Sequence, residues 1–178
     1  ATAGAVFEGV TAPADVALLP SDDTYVDESN ETSNFGSLLE LQVDGGNEEK
    51  SYIKFDLSDV KQPVKAAMLK LFITNGSAGK QYVREVMDDS WTESGLTWIN
   101  APPLGKQVGM TTGGESGSIL YIAITDYINE RIGSLVSLAI ESTDTDQLFF
   151  NSSEAQENKA QLLLFHSEND NPPNPPEL

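Results

Sequence analysis

Three basic side chains, Lys54, Lys70 and Arg84, stand where the two-residue period of a β-strand turns them away from an apolar face. An anionic polymer that carries carboxylates needs partners of this kind, and Arg offers each carboxylate two parallel hydrogen bonds. The chain has only 10 Lys and Arg residues, so Lys54 and Lys70 on two strands of one sheet, with Arg84 extending the row, would form a local basic patch in an acidic protein. The same alternation turns Tyr52 and Tyr82 outward. Flat rings cover the C–H side of a pyranose, so these five residues form the candidate ligand-binding set. The alternative for the cations is an ordinary solvated strand face.

The carboxylates suggest a second chemistry. Asp22-Asp23, Asp44 with Glu48-Glu49, Asp88-Asp89 and Asp144-Thr145-Asp146 lie in acidic clusters. Calcium takes about six to eight oxygens, mostly from carboxylates and loop carbonyls. Asp144 and Asp146 supply two such groups and Asp23 a third, which makes a structural Ca2+ one expectation. No complete Asp-x-Asp-x-Asp-Gly loop is present, and solvated acidic loops are the alternative.

Catalytic groups are scarce. His166 is the only histidine and follows the last strand-like run, cysteine is absent, and there is no Gly-x-Ser-x-Gly elbow. No His stands with Asp or Glu at transition-metal spacing. Carboxylates are too numerous for counting alone to exclude a glycosidase pair. The expectation is nevertheless a domain without catalysis.

The elements that must position these residues are short strands. Ser51–Leu57 alternates, with Ile53, Phe55 and Leu57 on one side and Tyr52, Lys54 and Asp56 on the other. Ala67–Thr74 does the same and ends at Asn75-Gly76-Ser77. Further runs span Leu38–Val43, Tyr82–Val86, Ile119–Ile124, Leu135–Glu141, Gln147–Asn151 and Gln161–Phe165, with one helical turn over Asp126–Ile132. Strands of this length, punctuated by Gly, Asn, Asp and Ser, predict an all-β fold, an antiparallel β-sandwich of jelly-roll type. A length of 178 residues suits one domain. Residues 1–20 read as a tether or edge strand, 21–167 as the sandwich, and 168–178 as a Pro-rich linker to a neighbouring domain.

Ten basic against 28 acidic residues give a formal charge of −18, which argues against nucleic acid, where affinity comes from Lys and Arg on phosphates. No apolar run approaches the roughly 18 residues of a membrane-spanning helix. A monomer outside the cytoplasm, secreted or at a cell surface, is expected.

An ordered set of segments carries a resemblance. Asp23-Thr24-Tyr25-Val26 and Asn34-Phe35-Gly36 precede Tyr52-Ile53-Lys54-Phe55-Asp56-Leu57-Ser58. Asp88-Asp89-Ser90-Trp91-Thr92-Glu93 and Leu96-Thr97-Trp98-Ile99-Asn100-Ala101-Pro102 follow, then Thr125-Asp126-Tyr127-Ile128 and Phe150-Asn151-Ser152-Ser153-Glu154-Ala155. Over residues 21–166 the chain resembles the DNRLRE domains, which include the carbohydrate-binding modules of family ninety-six. The resemblance implies a non-catalytic module attached to a polysaccharide lyase or glycoside hydrolase, with alginate, a polyuronate, as ligand. It also implies that Trp91 and Trp98 anchor structure, and Phe35 a turn. The family often has Arg before the Glu-Ala pair where this chain has Ser153, so a uronate-gripping group at that position is missing. A structural stalk or adhesion domain of a bacterial surface protein is the alternative reading.

Overall fold

The alternating run around Ile53 forms strand β4 (Glu49–Asp56), and its apolar side, Ile53 and Phe55 followed by Leu57, is fully buried. The computed structural model describes residues 14–166. Within them β1 (Val16–Leu18), β2 (Asp22–Asp27) and β3 (Glu40–Val43) precede β4; β5 (Ala66–Asn75), β6 (Gln81–Val86), β7 (Gln107–Thr111) and β8 (Ile119–Ala123) follow it. A short helix α1 (Thr125–Glu130) leads into β9 (Leu135–Ser142), β10 (Leu148–Asn151) and β11 (Gln161–Phe165).

All pairings are antiparallel and build two sheets. One has the order β2-β4-β9-β6-β7; the other runs β1-β11-β5-β10-β3, with β8 also paired to β5. The chain crosses between sheets repeatedly, which gives the jelly-roll sandwich that the strand pattern predicts. Between the sheets Ile53, Phe55, Val83, Leu138 and Ile140 meet Leu69, Leu71, Ile73, Phe150, Leu162 and Leu164 in one core. Burying each such side chain stabilises the fold by about 1.5–3 kcal/mol.

Two expectations about elements need correction. Lys54 and Lys70 do not share a sheet: β4 belongs to the five-stranded sheet and β5 to the six-stranded one. Consecutive strands are usually neighbours, but here the connection from Leu57 to Lys65 carries the chain across the sandwich. β7 was not visible as a strand, because Gln107-Val108-Gly109-Met110 lacks clean alternation and its pairing with β6 shifts register between Val83 and Arg84. In the N-terminal segment, Val16–Leu18 is an edge strand on β11. Residues 1–13 and the linker at 168–178 lie outside the described residues.

Candidate functional site

The outer face of the five-stranded sheet is divided in two by a long connection. Tyr52, Lys54, Tyr82 and Arg84 all point to this face, as alternation predicts, but the segment between β6 and β7 lies across part of it. Trp91 and Leu96 from that segment close a second, smaller core over Val26, Tyr52, Val86 and Ala139, with Trp98, Ala101 and Leu104 at its margin. The Trp91 indole N–H donates to Ser137 Oγ at 3.1 Å, and the Tyr52 hydroxyl donates to Pro102 O at 2.9 Å. Tyr52 meets Trp91 edge to face at 5.9 Å. Tyr52 is therefore buried and cannot stack on a ligand.

Lys54 is buried as well. Its ammonium donates to Trp91 O, pairs with Asp22 at 3.3 Å and lies 4.5 Å from the Trp91 ring centroid. These contacts consume the charge, so Lys54 positions the covering segment and meets no ligand. Lys70 sits half-buried on the far side of the sandwich, opposite Gln161 and Tyr121 in the ladder. The five-residue set thus separates into a covered pair, a distant lysine, and Arg84 with Tyr82.

Arg84 and Tyr82 stand on the uncovered strip. Tyr82 pairs with Glu141 on one side and Met110 on the other, and Lys50, one position beyond the Ser51–Ile140 pair, falls in the same row. Strand spacing puts Lys50 and Tyr82 roughly 10 Å apart, two strands away from each other. Arg84 donates from Nε to Gly105 O at 2.8 Å and pairs with Glu141 at 3.2 Å, its side chain 32% exposed. Lys50 pairs with Glu48 at 3.0 Å and lies 5.0 Å from the centroid of the Trp98 ring. Trp98 is half-buried, so it serves both as an anchor of the covering segment and as a wall of the strip. Two aromatic rings and two guanidinium or ammonium groups therefore line one shallow surface. Sequence reasoning missed Lys50 and gave Trp98 an anchoring role alone. Lys50 shares the period of Tyr52 and Lys54, which was the available signal; nothing in the local pattern marks Trp98 as a margin residue.

The covering segment is tied down at several points. Asn34 Nδ2 donates to Glu93 O at 2.7 Å and to Leu96 O at 2.8 Å, while Phe35 stacks on Tyr25 with centroids 4.3 Å apart. Phe35 is thus a turn anchor. Arg131 holds Asp89 at 2.7 Å near the start of the segment. Gly36 comes so close that a Cβ there would meet Glu93 O at 2.4 Å. Gly36→Ala must displace that backbone, and overpacking of this kind costs about 1–3 kcal/mol. Thermal denaturation should show the loss, together with increased proteolysis within residues 87–106; an unchanged melting temperature would contradict the close approach.

Glu93 is also the centre of a carboxylate knot. Its backbone N–H donates to Asp22 Oδ1 at 3.0 Å, and its Oε1 accepts from the Asp23 N–H at 3.0 Å. Asp23 accepts from Ser153 twice, at 2.7 Å from N–H and 2.9 Å from the hydroxyl. Ser153, at the position where the family often has Arg, is therefore a structural partner of Asp23. Burial raises the Asp23 carboxyl from 3.8 to about 6 against the pull of the Ser153 bonds, with Glu93 and Glu154 adding repulsion. Glu93 is raised too, mainly by burial. A carboxyl raised in the folded state favours folding below its unfolded pKa and loses that contribution as pH rises through the folded value. For Asp23 the window runs from about pH 4 to about 6 and corresponds to roughly 3 kcal/mol at most. Asp27 runs the other way: burial opposes it, but bonds from Asn30, Asn47 and the Ser29 N–H outweigh that and lower its carboxyl, a contribution lost only at lower pH. The melting temperature should therefore be higher at pH 5 than at pH 8, and Asp23→Asn should flatten the difference. A higher value at pH 8 in the parent chain would overturn this account.

The calcium expectation does not find a matching ligand set. Asp144 Oδ2 accepts from the Lys80 N–H at 2.7 Å and Asp146 Oδ2 from the Ala78 N–H at 2.8 Å, so both carboxylates brace the β5–β6 turn. Asp23 lies near the Lys54 end of the β2–β4 ladder, whereas the Asp144 backbone meets Gly45 beyond the other end. Among the described residues no group of three or more His, Cys, Asp and Glu stands close enough to hold a metal ion. His166, at the end of β11, pairs with Asp15 at 3.3 Å.

A family model described as carbohydrate-binding module family 96 matches residues 14–166. A gellan lyase from Bacillus sp is 38% identical over 101 residues, a match covering 52% of this chain and 4% of that protein, so the chain spans a small part of the relative's length. The crystal structure of the CBM22-1–GH10 modules of Clostridium thermocellum endo-1,4-β-D-xylanase 10B, complexed with xylohexaose, aligns over 86% of this chain and 30% of that one. Its identity is 9% and its TM-score 0.35, a likeness that carries no argument.

Proposed function

The chain belongs to carbohydrate-binding module family 96, and from that premise we propose that it holds an extracellular polysaccharide bearing uronate carboxylates on the strip formed by Lys50, Trp98, Tyr82, Arg84 and Met110. The module is non-catalytic. Its work is to keep a neighbouring enzyme, a polysaccharide lyase in this reading, on its substrate, because tethering raises the effective substrate concentration for the attached domain. Secretion follows from such a substrate. Alginate is the first ligand to test, and the gellan lyase relative puts gellan beside it.

One observation carries the assignment to this strip. Arg84 and Lys50 are partly exposed, their only ion pairs among the described residues are with Glu141 and Glu48, Arg84 Nε is held by Gly105 O, and both flank aromatic rings, Tyr82 and Trp98. Exposed ion pairs contribute only about 0–1 kcal/mol, so a sugar carboxylate can replace Glu141 at little cost. The bidentate geometry of Arg favours that exchange. Affinity gel electrophoresis with alginate, gellan, pectin, xylan and cellulose, calcium included, tests the function. Retardation in acidic polysaccharides is expected. Migration unchanged in every gel would overturn the reading and favour a structural stalk.

A further inference from the structure

A depression of about 260 Å³ lies on the covering segment itself, lined by Asp88, Ser90, Trp91, Thr92, Leu96 and Pro102, among others. We infer that this depression is a second subsite, which takes a single neutral sugar ring; the inference rests on the carbohydrate-binding reading above. Pockets for drug-sized ligands begin at roughly 300 Å³, so this one has room for one ring and not for a chain segment.

Its chemistry differs from that of the strip. Asp88 is exposed and accepts from both the N–H and the hydroxyl of Ser90 through Oδ1, at 2.8 and 2.6 Å. Those bonds hold its carboxyl below the usual range, so it is an ionised acceptor at neutral pH. Its Oδ2 makes no hydrogen bond among the described residues, and neither does the exposed Thr92 hydroxyl. A carboxylate oxygen beside a hydroxyl suits the O–H groups of a sugar, since charge-assisted bonds are the stronger kind. The apolar floor is rigid: Trp91 is fixed by Ser137 at its N–H, by Lys54 over its ring and by the edge of Tyr52.

Among the described residues no Lys or Arg lines the depression. Lys54, beneath it, is already spent on Asp22 and Trp91 O. A uronate carboxylate placed beside Asp88 would be repelled with no compensating partner, whereas a neutral ring meets only acceptors and hydroxyls. Pro102 belongs to the depression and also caps Tyr52, which shares a cross-strand row with Arg84 through Ala139. A charged-sugar surface and a neutral-sugar pocket thus sit on the same side of the module. That arrangement suits a heteropolysaccharide containing both kinds of residue better than a uniform polyuronate.

The chain has two tryptophans, so Trp98→Phe leaves Trp91 as the sole indole reporter. Titrating that variant with glucose, mannose, galactose, rhamnose and xylose should change Trp91 emission for at least one of them. Adding Asp88→Asn should weaken that response by about tenfold or more, the effect of losing one bond to a charged acceptor. Thermal denaturation checks that the variants remain folded. Silence of Trp91 toward all five neutral sugars overturns the pocket, even if acidic polysaccharides still retard the parent chain. A Trp91 response that Asp88→Asn leaves unchanged overturns it as well. Absence of retardation in every gel tests the strip alone, because the emission measurement addresses the pocket directly.

Discussion

Lys54→Ala should destabilise the protein by about 3–5 kcal/mol, the cost of removing one member of a buried ion pair. The side chain is 7% exposed, and its ammonium is the partner of both Asp22 and the Trp91 carbonyl. Alanine leaves the Trp91 carbonyl without its donor and Asp22 without its cation, with only the Glu93 N–H and the Ser21 hydroxyl remaining on that carboxylate; it also removes the cation from the Trp91 ring and opens a cavity beneath the smaller core. For a chain of this size each kcal/mol corresponds to about 2–4 °C, so the melting temperature should fall by roughly 10 °C or more. Lys54→Met retains most of the stem volume and loses only the charge, so it should fall by less. Both variants loosen the segment that carries Trp98, so polysaccharide affinity drops although Lys54 touches no ligand. A loss below about 1 kcal/mol in Lys54→Ala would mean that the ammonium is solvated and that the covering segment is held otherwise.

That lysine also shows how far residue patterns reach. Period-two alternation placed Tyr52, Lys54, Tyr82 and Arg84 on the same outer face, and the ladder registers agree. Alternation reports which side of its own sheet a residue faces and nothing about what lies over that side. The cover comes from Trp91, Leu96 and Pro102, in a segment with no periodicity, held by Asn34 and Glu93 through contacts 62 and 70 positions apart in sequence. Lys70 was misplaced for a related reason: its strand follows β4 directly, and only the crossover shows that it joins the opposite sheet. The acidic pair Asp144 and Asp146 looks the same in sequence whether it binds a cation or two backbone N–H groups, and the folded turn at Ala78–Lys80 takes both. Most strand identities and the buried faces were therefore legible, with β2 and β7 the exceptions. The strip was half legible, through Tyr82 and Arg84, because its other members depend on the margin of the covering segment.

The division of the five candidates leads to a test that separates the two faces. Trp98→Ala and Tyr82→Ala should each weaken binding to an acidic polysaccharide by about 2 kcal/mol, roughly thirtyfold, since aromatic residues dominate the energy of such surfaces. Lys70→Ala, on the opposite sheet, should bind as the parent does. Glu141→Gln is the sharper probe. The carboxylate at 3.2 Å now competes with the ligand for Arg84, and its neutral isostere frees the guanidinium while removing a like charge from the strip. Affinity should rise for carboxylate-bearing polysaccharides and stay unchanged for neutral ones, in retardation gels run at one ionic strength. Tighter binding in Glu141→Gln together with parent-like binding in Lys70→Ala places the ligand on Arg84. Weaker binding in Lys70→Ala, with Trp98→Ala and Tyr82→Ala unaffected, would move the site to the six-stranded sheet and refute the strip.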